Sequence, residues 1–160
     1  MQTILAIDDE SSVLESYRML LSDRHRLLCA SDGHSGLRIL DEKHVDLILL
    51  DLTMPGMSGL DFMSRLHERG ETVPVIVVTG SNSVEMAVKT IKQGAREFVI
   101  KPFDVEDLLF LVDRTLSDMR EKRELKALRE QGKAGFEHII GDSPAIMNAL
   151  AKARRAMQVD

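Results

Sequence analysis

Five short apolar runs alternate with amphipathic helical patterns over the first 118 residues of this 160-residue chain. Apolar runs of this length are typical of strands that are buried on both faces of a parallel sheet. The predicted strands are Thr3–Ile7, Arg26–Ala30, Asp46–Leu50, Val75–Val78 and Glu97–Ile100. The predicted helices are Ser12–Ser22, His34–Glu42, Ser58–His67, Ser83–Gln93 and a last helix that begins near Val105.

Repeated strand–helix alternation predicts a parallel sheet with helices on both faces. We therefore predict an α/β fold, a flavodoxin-like, doubly wound five-stranded parallel sheet with strand order 2-1-3-4-5. In the first helix, Val13, Tyr17, Leu20 and Leu21 share one apolar face. In the fourth helix we expect a similar core-facing set, which consists of Val84, Met86, Ala87 and Ile91.

Polar side chains follow the ends of four predicted strands. Asp8 and Asp9 follow the first strand, Asp51 follows the third, Thr79 follows the fourth and Lys101 follows the fifth. In open α/β sheets, functional groups gather at the carboxyl ends of the strands. Three neighbouring carboxylates repel each other unless a cation lies among them, and oxygen ligands suit Mg²⁺ or Mn²⁺. A cation so placed would also let a phosphoryl group approach a carboxylate nucleophile.

Two neighbouring residues fit the same chemistry. Gly80 would let the backbone come close and donate an N–H, and Pro102 permits a cis peptide bond with Lys101. Each residue alone has an ordinary explanation, since strand-end aspartates often cap helices and Thr79 could be a turn residue. The conjunction of an acid pair, an acid, a hydroxyl and Lys-Pro at four strand ends favours a site.

Residues 1–118 resemble the receiver domain of two-component response regulators. The motifs are ILAIDDE, LILLDLTMPGMSGLD, VIVVTG and FVIKPF. The resemblance implies a CheY-like fold in which Asp51 accepts a phosphoryl group from a sensor histidine kinase. It implies that Mg²⁺ is bound by Asp9, Asp51 and the backbone carbonyl of Thr53, and mainly through water by Asp8. Such a module is a switch rather than an enzyme, with at most self-phosphorylation from small donors and self-dephosphorylation.

The family's switch residues also have counterparts in this chain. By resemblance, Thr79 and Lys101 hold the phosphoryl oxygens, and Phe98 rotates inward when Thr79 moves. Phe98 lacks the hydroxyl of the more usual tyrosine, and it is equally consistent with a plain core residue. Thr53 and Ser81 flank the site and are expected to influence the lifetime of the acyl phosphate.

The remainder of the chain changes in composition. We expect a helical linker over residues 119–135, which is rich in charge and ends at Gly132 and Gly135. It is either a solvated extension of the last helix or a dimerisation helix, since an interrupted heptad seam runs from the last helix into it. The seam residues are Leu108, Leu111, Thr115, Asp118, Lys122 and Leu125.

Residues 136–160 resemble the entry to the AAA+ domain of sigma-54-dependent, NtrC-type activators through FEHIIGDSPAIMNALAKARRA. We expect this segment to be the truncated start of that domain. The resemblance implies that the full-length protein contacts sigma-54 RNA polymerase and DNA, though not through this fragment. The sequence contains no GxxxxGK[ST] motif, so the fragment is not expected to bind ATP.

A net charge of −5 gives no reason to expect nucleic-acid binding from these residues. No apolar run approaches the length of a membrane span, and we expect a cytoplasmic protein with no membrane partner. Two alternatives compete with the receiver interpretation. One is an aspartyl-phosphate phosphohydrolase of the haloacid-dehalogenase type, which needs a second acid where this chain has Thr53. The other is a phosphorylation-independent receiver scaffold, against which the intact acid cluster argues.

Overall fold

The computed structural model describes the backbone of residues 1–140 and the side chains of residues 1–133. Strands and helices alternate as predicted. The strands are β1 (Thr3–Ile7), β2 (Arg26–Ala30), β3 (Leu47–Leu50), β4 (Val75–Thr79) and β5 (Glu97–Ile100). The helices are α1 (Ser11–Leu21), α2 (Gly33–Glu42), α3 (Gly59–Glu68), α4 (Val84–Lys92) and α5 (Val105–Ile140).

The five strands form one parallel sheet in the order β2-β1-β3-β4-β5. The predicted fold class is therefore confirmed. The register places Ile7 opposite Leu50, so the residues that follow β1 and β3 leave the sheet side by side. Between β3 and β4, Leu50 lies opposite Val77, and between β4 and β5, Thr79 lies opposite Ile100. The ends of four strands thus meet at one edge.

The sheet is covered on both faces, and successive strand residues alternate between two apolar clusters. One cluster contains Leu37 of α2 together with Phe62 and Leu66 of α3. The other contains Tyr17 of α1 and Leu108 of α5, and both of these side chains are at most 2% exposed. Central strands that are buried on both faces explain the nearly unbroken apolar runs in the sequence.

The predicted core face of α4 is wrong for two of its four residues, Val84 and Ile91. Val84 is 76% exposed and Ile91 is 46% exposed, whereas Met86 is half-buried against the core. The residue of α4 that is fully buried is Thr90, whose hydroxyl donates a hydrogen bond to the Met86 carbonyl at 2.6 Å. Because this bond satisfies the hydroxyl within the helix, a polar residue can face the core and leave apolar residues outside.

Contacts divide the chain into two compact units, and the boundary follows Ser117. In the first unit, Leu108 and Thr115 of α5 are buried, so these two members of the proposed heptad seam are already packed. In the second unit, Leu125 is 56% exposed and Leu128 is 64% exposed. Among the described side chains, therefore, the part of the seam that remains accessible to a second helix is its later part.

The expected helix end at Gly132 and Gly135 is wrong, because α5 runs to Ile140. A glycine costs a helix about 1 kcal/mol relative to alanine, and the strong helix formers before Gly132 outweigh that cost. The predicted AAA+ start at 136–160 lies mostly outside the described residues, which end at Ile140. Among the described helices, none is long and apolar enough to cross a membrane.

Candidate functional site

The sheet itself fixes the backbone of the two buried acids. The Asp8 N–H donates to the Ala30 carbonyl at 3.1 Å, and the Asp51 N–H donates to the Ile7 carbonyl at 3.0 Å. Each bond continues the hydrogen-bond ladder by one residue beyond the strand. The two carboxylates therefore start from neighbouring points on a rigid edge.

Asp8, Asp9 and Asp51 form one acid cluster, in which ligand oxygens of all three lie within 4.8 Å of one another. Asp8 and Asp51 are 1% and 5% exposed, and Asp9 is exposed. Asp8 is well partnered, since its Oδ1 accepts from the Glu10 N–H at 2.9 Å and its Oδ2 accepts from Lys101 Nζ at 2.6 Å. Three clustered carboxylates form a hard, oxygen-only donor set that suits a divalent cation.

Asp51 differs from Asp8 because its Oδ1 is buried and has no hydrogen-bond partner. Burial raises the pKa of Asp51 above its ordinary value, and the nearby charge of Asp8 adds to this effect. The Lys101 ammonium, the Thr53 N–H and the Thr79 hydroxyl lower the pKa and offset part of the rise. The site therefore contains a largely desolvated carboxylate, one oxygen of which has no hydrogen-bond partner.

The ammonium group of Lys101 is the positive charge that lies beside the acid cluster in this structure. Its Nζ lies 2.6 Å from Asp8 Oδ2 and 4.0 Å from Asp51 Oδ2, and its side chain is 17% exposed. Its backbone N–H donates to the Thr79 carbonyl at 2.8 Å, which fixes the lysine relative to β4. The Lys101–Pro102 peptide bond is cis. The lysine thus reaches the acids from the adjacent strand end.

Thr79 ends β4 and is fully buried. Its Oγ1 accepts a hydrogen bond from the Ser81 N–H at 3.4 Å. Gly80 is exposed, and a Cβ atom there would meet nothing within 4 Å, so the space around its backbone is open. Thr53 is also exposed. The hydroxyl, the open glycine and the lysine lie on the same sheet edge as the acid cluster.

Phe98 is not part of this edge. It lies on β5, is half-buried and packs against the core cluster that contains Phe62 and Leu66. The structure therefore gives Phe98 a core position, and any movement toward Thr79 would be a change from this arrangement.

Gly59 is a site residue that the sequence reasoning missed. A Cβ atom at this position would lie 2.5 Å from the Asp51 carbonyl oxygen and 2.7 Å from Leu52 Cα. The Gly59 N–H donates to the Leu52 carbonyl at 3.0 Å, so α3 begins directly against the strand end. Ser58 and Asp61 form a capping box that fixes this helix start. Only glycine allows so close an approach, and the SG pair before an apolar helical pattern was the available signal.

The fold and the site together define a doubly wound α/β domain with an acid–lysine site at the carboxyl edge of its sheet. Residues 4–113 match the family described as the response regulator receiver domain. The regulatory protein AtoC of Escherichia coli is 34% identical over 152 residues, which cover 91% of this chain and 32% of AtoC. The DNA-binding transcriptional regulator NtrC of Escherichia coli is 31% identical over 149 residues, which cover 92% of this chain and 31% of NtrC.

A solved structure gives the same result. The receiver domain of a response regulator from Clostridium thermocellum superposes with a TM-score of 0.70 and is 32% identical. The match covers 75% of this chain and 98% of that protein. This chain belongs to the response regulator receiver domain family, and the resemblance to NtrC-type regulators that the motifs predicted is confirmed. Receiver domains bind Mg²⁺ at an acidic pocket, and the three aspartates form such a pocket here. The chain spans about a third of the length of AtoC and NtrC.

Proposed function

We propose that this domain accepts a phosphoryl group from a sensor histidine kinase on Asp51. The observation that carries the proposal is the free oxygen of Asp51, which is buried beside Asp8 and Lys101. In the proposed step, Asp51 Oδ1 attacks phosphorus and forms an O–P bond while the N–P bond to the kinase histidine breaks. The electron pair of that bond stays on the imidazole, which then takes a proton from solvent. The product is an acyl phosphate.

The donor set fits Mg²⁺, and also Mn²⁺. Carboxylate oxygens of Asp8, Asp9 and Asp51 would hold the ion, together with the backbone carbonyl of Thr53. When bound, the ion neutralises charge that would otherwise repel the incoming phosphoryl group. The role of Lys101 is to hold a phosphoryl oxygen, for which its ammonium must give up part of its contact with Asp8.

Thr79 and Gly80 would complete the phosphoryl site. The Thr79 hydroxyl would donate to a phosphoryl oxygen, and the Gly80 N–H would donate from the open side of the loop. In moving toward the phosphoryl group, Thr79 would give up the long 3.4 Å hydrogen bond that its Oγ1 accepts from the Ser81 N–H. Phe98 would then rotate into the space that Thr79 leaves. Thr53 and Ser81 border the site and would set the access of water to the acyl phosphate.

The output surface that we propose is the exposed apolar part of α4 and β5. Val84, Val88 and Ile91 on α4 are 76%, 48% and 46% exposed, and Ile100 on β5 is 44% exposed. Several exposed apolar residues on adjacent elements are a reason to expect a protein contact. Movement of Thr79 would change this surface and the pairing of two receivers, and the linker helix would extend the dimer. In the full-length protein this change would control a sigma-54-dependent ATPase that acts at DNA.

The experiment measures oligomeric state by light scattering with and without beryllofluoride and Mg²⁺, which together mimic the phosphorylated carboxylate. We expect a shift toward dimer only when both are present. Val88→Glu should abolish the shift while leaving the rate of phosphorylation by phosphoramidate unchanged, because Val88 lies on the exposed surface of α4. Glu85→Gln on the same helix is the matched control, and it should still dimerise. No change in oligomeric state would favour the scaffold alternative.

The hydrolase alternative has less support. Thr53 occupies the position where a haloacid-dehalogenase-type enzyme needs its second acid, and a threonine hydroxyl cannot act as a general acid near neutral pH. Rapid multiple-turnover hydrolysis of a phosphomonoester by the wild-type domain would restore that alternative.

A further inference from the structure

Tyr17 is a buried polar residue of α1 that the proposed phosphoryl chemistry does not use. It is 2% exposed and belongs to the apolar cluster between α1, α5 and the sheet. Its ring stacks on the ring of Phe103, with centroids 6.3 Å apart and planes 11° from parallel. A parallel pair at this separation adds specific attraction to the burial of both rings.

Phe103 lies two residues after Lys101, in the loop that connects β5 to α5. On one side, the Lys101 N–H is bonded to the Thr79 carbonyl at 2.8 Å. On the other side, the Asp104 carbonyl accepts the Leu108 N–H at 3.1 Å, where α5 begins. Between these two anchors, the ring stack with Tyr17 connects the loop to α1. The stack therefore joins the loop that carries the lysine to the helix that follows the acid pair.

Burial also determines the charge state of Tyr17. Burial raises the pKa of the Tyr17 hydroxyl far above its ordinary value, and the charges of Asp8 and Asp51 raise it further. The hydroxyl therefore stays neutral at every pH at which the domain would work.

We propose that Tyr17 is a positioning residue for Lys101 and acts through its stack on Phe103. Lysine has a flexible four-carbon stem, so the place of its ammonium depends on how firmly the backbone beneath it is held. Loss of the stack would let the loop shift and broaden the range of positions of Lys101 Nζ. The inference rests on the proposed role of Lys101 in phosphoryl transfer.

The expected effect is a slower transfer in a protein that still folds. Because a displacement of about 1 Å in a catalytic group can cost up to about 100-fold in rate, we expect Tyr17→Leu to slow phosphorylation by phosphoramidate about 3- to 10-fold. Tyr17→Phe keeps the stack and should be phosphorylated at the wild-type rate. Leu21→Val is the matched control, since Leu21 is buried in the same cluster on the same helix. It should lower stability without slowing transfer.

The double variant separates positioning from general loosening of the core. The double variant combines Tyr17→Leu with Lys101→Met. If Tyr17 acts through the lysine, Tyr17→Leu should slow transfer when Lys101 is present. It should leave the residual rate of the Lys101→Met protein unchanged. An equal slowing in both backgrounds would overturn the proposal. So would a Tyr17→Leu rate equal to that of the wild type, or a Tyr17→Phe rate as low as that of Tyr17→Leu. If Tyr17→Leu does not fold, Phe103→Leu removes the stack from the other side and carries the same test.

A second measurement does not need phosphoryl transfer. In metal-free protein, the ammonium protons of Lys101 should exchange with water faster in Tyr17→Leu than in Tyr17→Phe, because a loosened lysine spends less time on Asp8. Equal exchange rates would also overturn the proposal. If phosphoramidate does not modify the wild type at all, the proposed function fails, and the exchange comparison still decides whether Tyr17 positions the lysine.

Discussion

Replacing Lys101 by methionine tests whether the lysine ammonium and a divalent cation neutralise the same carboxylates. Lys101 Nζ lies 2.6 Å from Asp8 Oδ2 and 4.0 Å from Asp51 Oδ2. At an effective dielectric constant of about 20, these separations correspond to gross attractions of about 6 and about 4 kcal/mol. Desolvation of the ammonium and of the buried carboxylates offsets most of this energy, so the net contribution is much smaller.

In the absence of divalent metal, we expect Lys101→Met to lower the free energy of unfolding by about 3 kcal/mol, because it leaves buried carboxylates without a counter-charge. At saturating Mg²⁺ the loss should shrink to about 1 kcal/mol or less, since the metal ion supplies the missing charge. By linkage, the variant should also bind Mg²⁺ at least about thirtyfold more tightly than the wild type, because the two losses differ by about 2 kcal/mol or more.

The assay is urea unfolding followed by far-UV circular dichroism, in EDTA and in excess Mg²⁺, with the Mg²⁺ affinity measured by calorimetry. Lys92→Met is the control, because Lys92 is an exposed residue of α4 and its loss should change stability by less than about 0.5 kcal/mol. A loss of the same size in EDTA and in Mg²⁺ would refute the reasoning, since the lysine would then stabilise the fold independently of the metal site.

The burial of the Asp51 carboxylate and the close contact between Gly59 and the Asp51 carbonyl each give a further prediction. Because burial raises the pKa of Asp51 above 3.8, its contribution to stability is complete below pH 3.8 and is lost as the pH rises through the folded-state pKa. Asp51→Asn removes this loss. In EDTA, urea titrations should therefore show that the variant is more stable than the wild type at pH 7 but not at pH 3. A variant less stable than the wild type at pH 7 would contradict this account. Gly59→Ala should cost about 1–3 kcal/mol through overpacking and should slow phosphorylation, because its Cβ would lie 2.5 Å from the Asp51 carbonyl oxygen. Gly80→Ala, which has open space, should cost less than about 1 kcal/mol, and equal losses from both changes would count against the close approach at Gly59.

Much of the fold could be predicted from the sequence because the sheet is central and parallel. Strands buried on both faces read as unbroken apolar runs, and three of the five observed strands have the predicted bounds. β3 begins at Leu47 rather than Asp46, and β4 extends to Thr79. The position of the acids followed from the same pattern, since residues after parallel strands leave at one edge.

The exposed side of α4 could not be predicted, because Val84, Val88 and Ile91 share one apolar face, which hydrophobic periodicity assigns to the core but which the structure leaves exposed. The structure buries Thr90 through a hydrogen bond within the helix, and hydrophobic periodicity carries no signal for such a bond. Gly59 was missed for a related reason. The need for glycine there arises from the approach of α3 to the Asp51 carbonyl, which is a tertiary contact. The ring stack of Tyr17 and Phe103 likewise joins residues that are far apart in sequence.

The most direct test of the central claim locates the acyl phosphate chemically. The domain is treated with phosphoramidate and Mg²⁺ and then reduced with borohydride, which converts a phosphorylated aspartate to homoserine, and the peptides are mapped by mass. We predict homoserine at position 51 and unmodified aspartate at positions 8 and 9, because only Asp51 has a buried carboxylate oxygen without a partner among the described side chains. Homoserine at position 8 or 9, or no homoserine in a folded domain that binds Mg²⁺, would contradict the assignment of Asp51 as the phosphoacceptor.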